Sequence, residues 1–179
     1  MILAADISMK ATGIAAGDGT AAPEVRAFSP KREDRQYADF MRWWSARVKE
    51  YEPSLIAVEA PFVGPGKPDA ARVLFGLVGI AQGIAELRGV PFVQVNIGSW
   101  RKVFTGKGQY RAERDPVTGK TLSSTKVAKR ACIRVCHSLA WNVGSDDNKA
   151  DACGVWVHAH LNHGNQAAML RQLQGRRAA

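Results

Sequence analysis

The sequence predicts one α/β domain in which a mixed five-stranded sheet is flanked by helices. Short apolar runs of strand length lie at residues 2–7, 54–60 and 90–96, and longer segments repeat apolar residues at helical spacing. The resulting order, β-β-β-α-β-α-β-α-α, is typical of a mixed sheet with helices on its faces. With 179 residues, of which 46% are hydrophobic, the chain is long enough to bury one core.

The first three strands are predicted to form an antiparallel meander. Residues 2–7, ILAADI, are short and apolar, as a buried strand is. Residues 13–20, GIAAGDGT, form a second strand that ends in a Gly-Asp-Gly turn, and residues 23–30, PEVRAFSP, form the third. Because tight turns separate these segments, each strand should pair with the next one along the chain.

Helices and buried strands alternate in the middle of the chain. Residues 35–51 carry apolar side chains at helical spacing, and Pro53 ends that helix. Residues 54–60, SLIAVEA, are apolar almost throughout, which favours a strand buried on both faces of the sheet. A loop rich in Pro and Gly follows at 61–68, and the last buried strand is expected at 90–96. The remaining predicted helices lie at residues 69–88, 97–104, 124–139 and 147–161.

Two segments lack a periodic pattern. Residues 105–122 are polar, basic and rich in glycine, and we predict a mobile loop there. The chain ends in RQLQGRRAA, which predicts a frayed terminus. We therefore divide the chain into a folded domain at 1–163 and a basic C-terminal tail at 164–179.

The charge balance favours an anionic partner. Lys and Arg total 25 against 16 Asp and Glu, a formal charge of +9, and nucleic acid is the commonest partner of such a chain. Three cysteines do not make a disulfide framework, and the i,i+4 pair Cys132 and Cys136 reads as helix core rather than as a zinc site. We see no secretory signal and no apolar run long enough to span a bilayer, so a cytoplasmic protein with no membrane partner is expected.

Carboxylates stand where the apolar strands end. Asp6 closes the first strand and Glu59 closes SLIAVE, although each could simply be a strand-end residue reaching water. Asp147 and Asp151 lie four residues apart and share one face of the last predicted helix, where a divalent cation would relieve their repulsion. A solvent-facing acidic helix start explains Asp147 and the capping residue Asp146, but it does not explain Asp151, which follows Ala150. Converging carboxylates favour Mg²⁺, with Mn²⁺ as a substitute.

Three motifs resemble those of the RuvC family of Holliday-junction resolvases, which are ribonuclease-H-like nucleases. DISMKATGIA is similar to the first motif, AVEAPF to the second and DDNKADACGVWVHA to the last. SWRKVFTGKG, STKVAKRAC and LAWNVGSDDN are similar in particular to RuvC-like proteins of phages and prophages. The resemblance runs from about Ile2 to His160 and implies the ribonuclease-H-like fold.

The resemblance also implies a ligand set for the metal. Its catalytic and metal-binding positions are Asp6, Glu59 and Asp151. In cellular RuvC proteins the fourth ligand lies three residues before the last Asp, which is Asn148 here. We favour Asp147, because its charge helps to hold two cations and it shares a helix face with Asp151. Asn148, through its carbonyl oxygen, and Asp146 remain alternatives.

The resemblance gives several other residues a role in binding DNA. An aromatic residue near the position of Phe62 opens base pairs at the junction centre in RuvC proteins, although Phe62 could equally fold back on the core. The basic candidates for phosphate contacts, each of which could instead belong to a solvated charged face, are Arg101, Lys102, Lys107, Arg111, Lys126, Lys129 and Arg130.

The implied activity is two-metal-ion hydrolysis of four-way DNA junctions by a homodimer, each subunit cutting one strand. The helix at 69–88 is apolar on more than one face, which fits a core face together with a dimer face. A monomer that buries this helix under another one would look the same. The alternatives are a nuclease of this fold that cuts another branched or hybrid nucleic acid, and a junction-binding module without catalysis. An actin-like kinase or ATPase would need a chain about twice as long.

Overall fold

The computed structural model describes residues 1–62 and 68–175. Its sheet is built on the central strand β1 (Ile2–Asp6), which pairs antiparallel with β2 (Thr12–Gly17) and parallel with β4 (Leu55–Glu59). Strand β3 (Glu24–Phe28) continues the meander beyond β2, and β5 (Phe92–Val95) lies parallel to β4. The order β3-β2-β1-β4-β5 confirms the predicted mixed five-stranded sheet.

Helices cover both faces of this sheet. They are α1 (Gln36–Tyr51), α2 (Pro68–Leu87), α3 (Ile97–Thr105), α4 (Ser124–Ser138), α5 (Asp147–His163) and α6 (Gln166–Gly175). Because side chains alternate along a strand, Leu3 and Ala5 pack towards α1 and α2, whereas Ile2 and Ala4 pack towards the other helices. The two faces thus carry two separate hydrophobic clusters.

Helix α5 lies across β1 and β2 and is buried along most of its length. Its first turn approaches the sheet at Gly13, the register partner of Asp6. A Cβ atom on Gly13 would lie only 2.1 Å from the backbone oxygen of Asn148, so no larger residue fits there without movement. The glycine therefore lets α5 begin directly beside the end of β1.

The segment predicted as a mobile loop contains a small hairpin, so that expectation was wrong in part. Strands β6 (Glu113–Arg114) and β7 (Thr121–Leu122) pair antiparallel. Buried Asp115 accepts backbone hydrogen bonds from Val117 and Thr118 in the turn and pairs with Arg130 of α4. An Asp that caps its own turn carries no hydrophobic periodicity, which is why the pattern did not reveal it.

Residues 164–175 are more ordered than a frayed terminus. Most of them form α6, whose Met169 is fully buried in the cluster beneath the sheet. The Gln172 side chain donates a hydrogen bond to the carbonyl of Gly19, at 2.6 Å. Packing of this apolar face stabilises a helix that its sequence alone did not indicate. Residues 176–179 of the predicted tail, and residues 63–67 of the predicted loop, lie outside the described residues.

Helix α2 corrects one expectation about membranes. By length and composition it is apolar enough to cross a bilayer, with a mean hydropathy of 1.5. The prediction that the chain has no apolar run of this length was therefore wrong. Its Val, Leu, Ile, Phe and Ala residues, with few charged ones between them, give it this character. Only 22% of the most apolar 18-residue stretch of this helix is buried, and Phe75 and Leu87 are exposed. Its inner side packs on α1, with Leu77 and Ala81 buried, so α2 combines a core face with a broad exposed apolar face.

Candidate active site

Three of the predicted carboxylates come together at one edge of the sheet. Asp6 ends β1 and Glu59 ends the parallel neighbour β4, so their side chains emerge at the same edge. Asp151, four residues beyond the start of α5, is 3% exposed and lies near enough to both for its charge to raise their pKa values. The approach of α5 at Gly13 brings it there. The sequence prediction that these three acids share a site is consistent with this arrangement.

The electrostatics of these acids show how closely they are gathered. Burial, followed by repulsion from Glu59 and Asp151, raises the pKa of Asp6 well above its usual range. Burial and repulsion from Asp151 raise the pKa of Glu59 to about 7. Burial also raises the pKa of Asp151. Ionising the whole cluster is therefore costly unless positive charge is brought to it.

Two basic side chains already supply part of that charge. Arg101 of α3 lies 3.5 Å from Asp151, and Lys129 of α4 pairs closely with Asp147. Burial disfavours the charged form of Lys129, but its hydrogen bond to Asp147 and the attraction of Asp151 and Asp6 outweigh this and raise its pKa. The carboxylates therefore sit among cations that partly offset their repulsion.

The donor set fits a divalent cation. Oδ1 of Asp151 is buried without a hydrogen-bond partner among the described residues, as expected of an oxygen that serves a ligand. Within residues 1–62 and 68–175, no three Asp, Glu, His or Cys side chains are arranged to hold a metal ion as they stand. Coordination of one by Asp6, Glu59 and Asp151 would therefore need these side chains to rearrange.

The candidates for a fourth ligand occupy three different environments. Asp146 caps α5 by accepting hydrogen bonds from the backbone N–H groups of Asn148 and Lys149, as predicted for a capping residue. Asn148 places its backbone carbonyl against Gly13. Asp147 lies near enough to Asp151 to raise its pKa but is engaged by Lys129. The choice of Asp147 stays a prediction.

Helix α3 holds a residue that the sequence reasoning missed. The indole N–H of Trp100, which is fully buried, donates a hydrogen bond of 2.8 Å to Oε2 of Glu59. The next residue, Arg101, is the one that reaches Asp151. A tryptophan within the basic SWRK segment was the available signal. Cys132 of α4, read only as core, also lies against Asp151, which together with burial raises the pKa of its thiol.

An open groove of about 460 Å³ reaches one of the carboxylates, that of Glu59. Its lining includes Glu59, Arg101, Phe62, Tyr110 and Thr125. Phe62 is 75% exposed, so it does not fold back on the core. The groove gives an extended ligand direct access to Glu59.

The predicted phosphate-binding residues fall into two groups. Lys102, Lys107, Arg111 and Lys126 form the first group and are exposed on the surface, as is Arg130 of the second group. Arg101, Lys129 and Arg130 instead pair with Asp151, Asp147 and Asp115, respectively. The second group includes the two cations that lie beside the proposed catalytic acids.

Comparison with known proteins places the fold. No protein-family model matches the chain, and no curated protein matches it. The structure of T. thermophilus RuvC in complex with a Holliday junction substrate is similar over 95% of this chain and 94% of that one, with a TM-score of 0.62 and 15% identity. A Thermus thermophilus RuvC structure gives a TM-score of 0.59 at 15% identity, over 95% of each chain. The yeast mitochondrial Holliday junction resolvase Ydc2 gives a TM-score of 0.49 at 13% identity, over 99% of this chain and 80% of that one.

The chain therefore has the fold of RuvC, and the predicted ribonuclease-H-like fold is confirmed. At 15% identity the likeness concerns the fold, and what the site does must be argued from its own residues.

Proposed function

We propose that this chain is a Mg²⁺-dependent, structure-selective DNA endonuclease that resolves four-way junctions by paired phosphodiester hydrolysis. The observation that carries the proposal is the convergence of Asp6, Glu59 and Asp151 at one sheet edge, next to an open groove. The fold is that of RuvC, and one similar RuvC structure contains a Holliday junction substrate, which supports branched DNA as the ligand.

In this proposal Asp6, Glu59, Asp151 and Asp147 hold Mg²⁺, for which Mn²⁺ can substitute. When bound, these ions lower the pKa of a water molecule and stabilise the negative charge of the departing 3′-oxygen. Arg101, which lines the groove and lies beside Asp151, is placed to attract the scissile phosphate.

The groove and its surroundings account for the choice of substrate. Exposed Phe62 stands at the wall of the groove, where its ring can stack on a base at the centre of a junction. The exposed Lys102, Lys107, Arg111 and Lys126 then hold the DNA backbone. The protein reads the shape of branched DNA through these contacts.

A homodimer completes the proposal, because paired cuts in two strands need two active sites. Helix α2 offers the interface: Phe75 is 56% exposed, and neither Gly79 nor Gly83 has any atom within 4 Å of a built Cβ. A partner helix could approach closely at these glycines and cover the exposed apolar residues. We also propose that the protein acts in the cytoplasm of a bacterial or phage-infected cell, where it would encounter such DNA.

The test is cleavage of matched labelled substrates in Mg²⁺: a four-way junction, a fork, a linear duplex and an RNA–DNA hybrid. Paired symmetric nicks in the junction alone are expected. Preferred cutting of the hybrid or the fork would retain the metal site but reject junction resolution. Junction binding without any cutting would favour a non-catalytic binding module.

Asp6→Asn tests the catalytic cluster directly. The variant should bind junctions as the wild type does but fail to cut them. Without metal it should also be more stable than the wild type at pH 8, because the raised pKa of Asp6 shows that its ionised form is disfavoured in the folded protein. Asp34→Asn, which alters an exposed carboxylate paired with Arg32, is the matched control. Retained cleavage in Asp6→Asn would remove Asp6 from the site.

A further inference from the structure

We infer that Trp100 is a positioning residue that fixes the Glu59 carboxylate for the divalent cation. The inference rests on the metal site in the proposed function. Its starting point is the 2.8 Å hydrogen bond from the indole Nε1–H to Oε2 of Glu59. A hydrogen bond to a charged acceptor in a buried place is strong and directional, and it engages one carboxylate oxygen while leaving the other for a cation.

The indole itself is held firmly. Trp100 is fully buried, and Gly154 of α5 makes the space for its ring: a Cβ on Gly154 would lie 2.4 Å from ring atoms Cε3 and Cζ3. Phe104, one turn later in α3, is buried beside it. The ring therefore cannot change rotamer without displacing α3 or α5.

Both ends of α3 are also fixed. The Asn96 side chain caps the first turn by accepting a hydrogen bond from the N–H of Gly98, and Gly106 ends the helix in the left-handed conformation, with φ of 82°. The Thr105 hydroxyl accepts a hydrogen bond from Tyr110 at 2.7 Å and donates one to the carbonyl of Arg101. A short helix with two capped ends is a rigid support for a side chain.

Because α3 is rigid and contacts two of the acids, it can fix their positions relative to each other. Consecutive residues contact carboxylates from two different elements, Trp100 that of Glu59 on β4 and Arg101 that of Asp151 on α5. Trp100 also packs on α5 through Gly154. Helix α3 thus sets the spacing between the strand acid and the helix acid, and the indole N–H orients the strand acid.

The test is a double-mutant cycle read by Mn²⁺ binding, measured by titration calorimetry in the absence of DNA. Trp100→Phe keeps most of the ring and removes the N–H, and it should weaken Mn²⁺ binding by about 10–100-fold. In the Glu59→Ala background, titrated to Mn²⁺ concentrations at which the remaining acids still bind the ion, the same change should cause no further loss, because the acceptor is gone. The matched control is Trp44→Phe, since Trp44 is equally buried and its Nε1 has no hydrogen-bond partner among the described residues.

Each outcome decides the inference. Wild-type affinity in Trp100→Phe would overturn it, and so would an equal loss in the Glu59→Ala background, because the effect would then come from packing. Absence of Mn²⁺ binding by the wild type would overturn both the inference and the proposed metal site. A wild type that binds Mn²⁺ with the expected cycle but cuts no junction would reject the proposed function alone.

Discussion

Gly13→Ala adds one methyl group, and we expect the variant to fold but to lose most of its metal binding and cleavage activity. In Gly13→Ala the new Cβ would lie 2.1 Å from the Asn148 oxygen, 2.3 Å from its carbonyl carbon and 2.7 Å from the nitrogen of Lys149. All three are backbone atoms at the start of α5, so no side-chain rotation relieves the contact. To restore ordinary contact at 3.4 Å, the first turn of α5 must move away from β2 by about 1.3 Å.

The displacement should cost both stability and activity. Overpacking of this kind costs about 1–3 kcal/mol, and for a chain of this size it lowers the melting temperature by roughly 2–12 °C. The same movement carries Asp147 and Asp151 away from Asp6, the register partner of Gly13. A misplacement of about 1 Å in a catalytic group can cost on the order of 100-fold in rate. The variant should therefore be folded, bind Mn²⁺ weakly and cut junctions about 100-fold more slowly.

Three measurements on one preparation check this: the melting temperature, Mn²⁺ affinity by calorimetry and the single-turnover cleavage rate at saturating Mg²⁺. Asp34→Asn is again the control, because it alters an exposed carboxylate outside the site and the proposed dimer interface. A Gly13→Ala protein with wild-type metal affinity and cleavage would refute the reasoning, since the contact with α5 would then not set the positions of the acids.

Three further predictions concern charge and assembly. In the presence of a chelator, stability should fall as pH rises through about 7, because the pKa of Glu59 is about 7 when folded against an ordinary value of 4.5. Glu59's contribution is complete below about pH 4.5, so Glu59→Gln should flatten the slope of melting temperature against pH, and an unchanged slope would contradict the shift. Gly79→Glu should leave the monomer folded but abolish the dimer in light scattering, and a persisting dimer would place the interface elsewhere. Lys126→Glu should weaken junction binding and reduce its dependence on salt, and an unchanged salt slope would mean that α4 faces away from DNA.

The sequence predicted the sheet well because its strands carry two independent signals. Residues such as Leu3 and Ile56 belong to short apolar runs, and Asp6 and Glu59 interrupt those runs where the strands end. Periodicity and the cost of burying charge therefore indicate the same strand boundaries. The acids at strand ends could be predicted to meet because parallel neighbours end at the same edge of a sheet.

The contacts around those acids could not be predicted in the same way. Trp100 meets Glu59 across 41 positions of sequence, and nothing local in α3 specifies that partner. Gly13 is needed because another backbone passes within van der Waals distance, a demand that becomes visible only once α5 is in place. Met169 is similar, since the few apolar residues of a polar tail show their role only when a core is available to receive them.

Because some basic residues pair with carboxylates, the net charge overstates how many cations are available to bind DNA. A surplus of +9 suggests a surface ready for DNA, yet Arg101, Lys129 and Arg130 are each paired with a carboxylate. Because the pKa values of Asp6 and Glu59 are raised, the cluster needs positive charge even without a bound cation, and Arg101 and Lys129 supply it. Apart from Arg101, which the proposed function places near the scissile phosphate, the cations available for a DNA backbone are the exposed ones, such as Lys126, which lie outside the acidic cluster. The basic residues thus fall into two groups. Those paired with carboxylates offset the repulsion among buried acids, and the exposed ones attract an anionic polymer such as DNA to the surface.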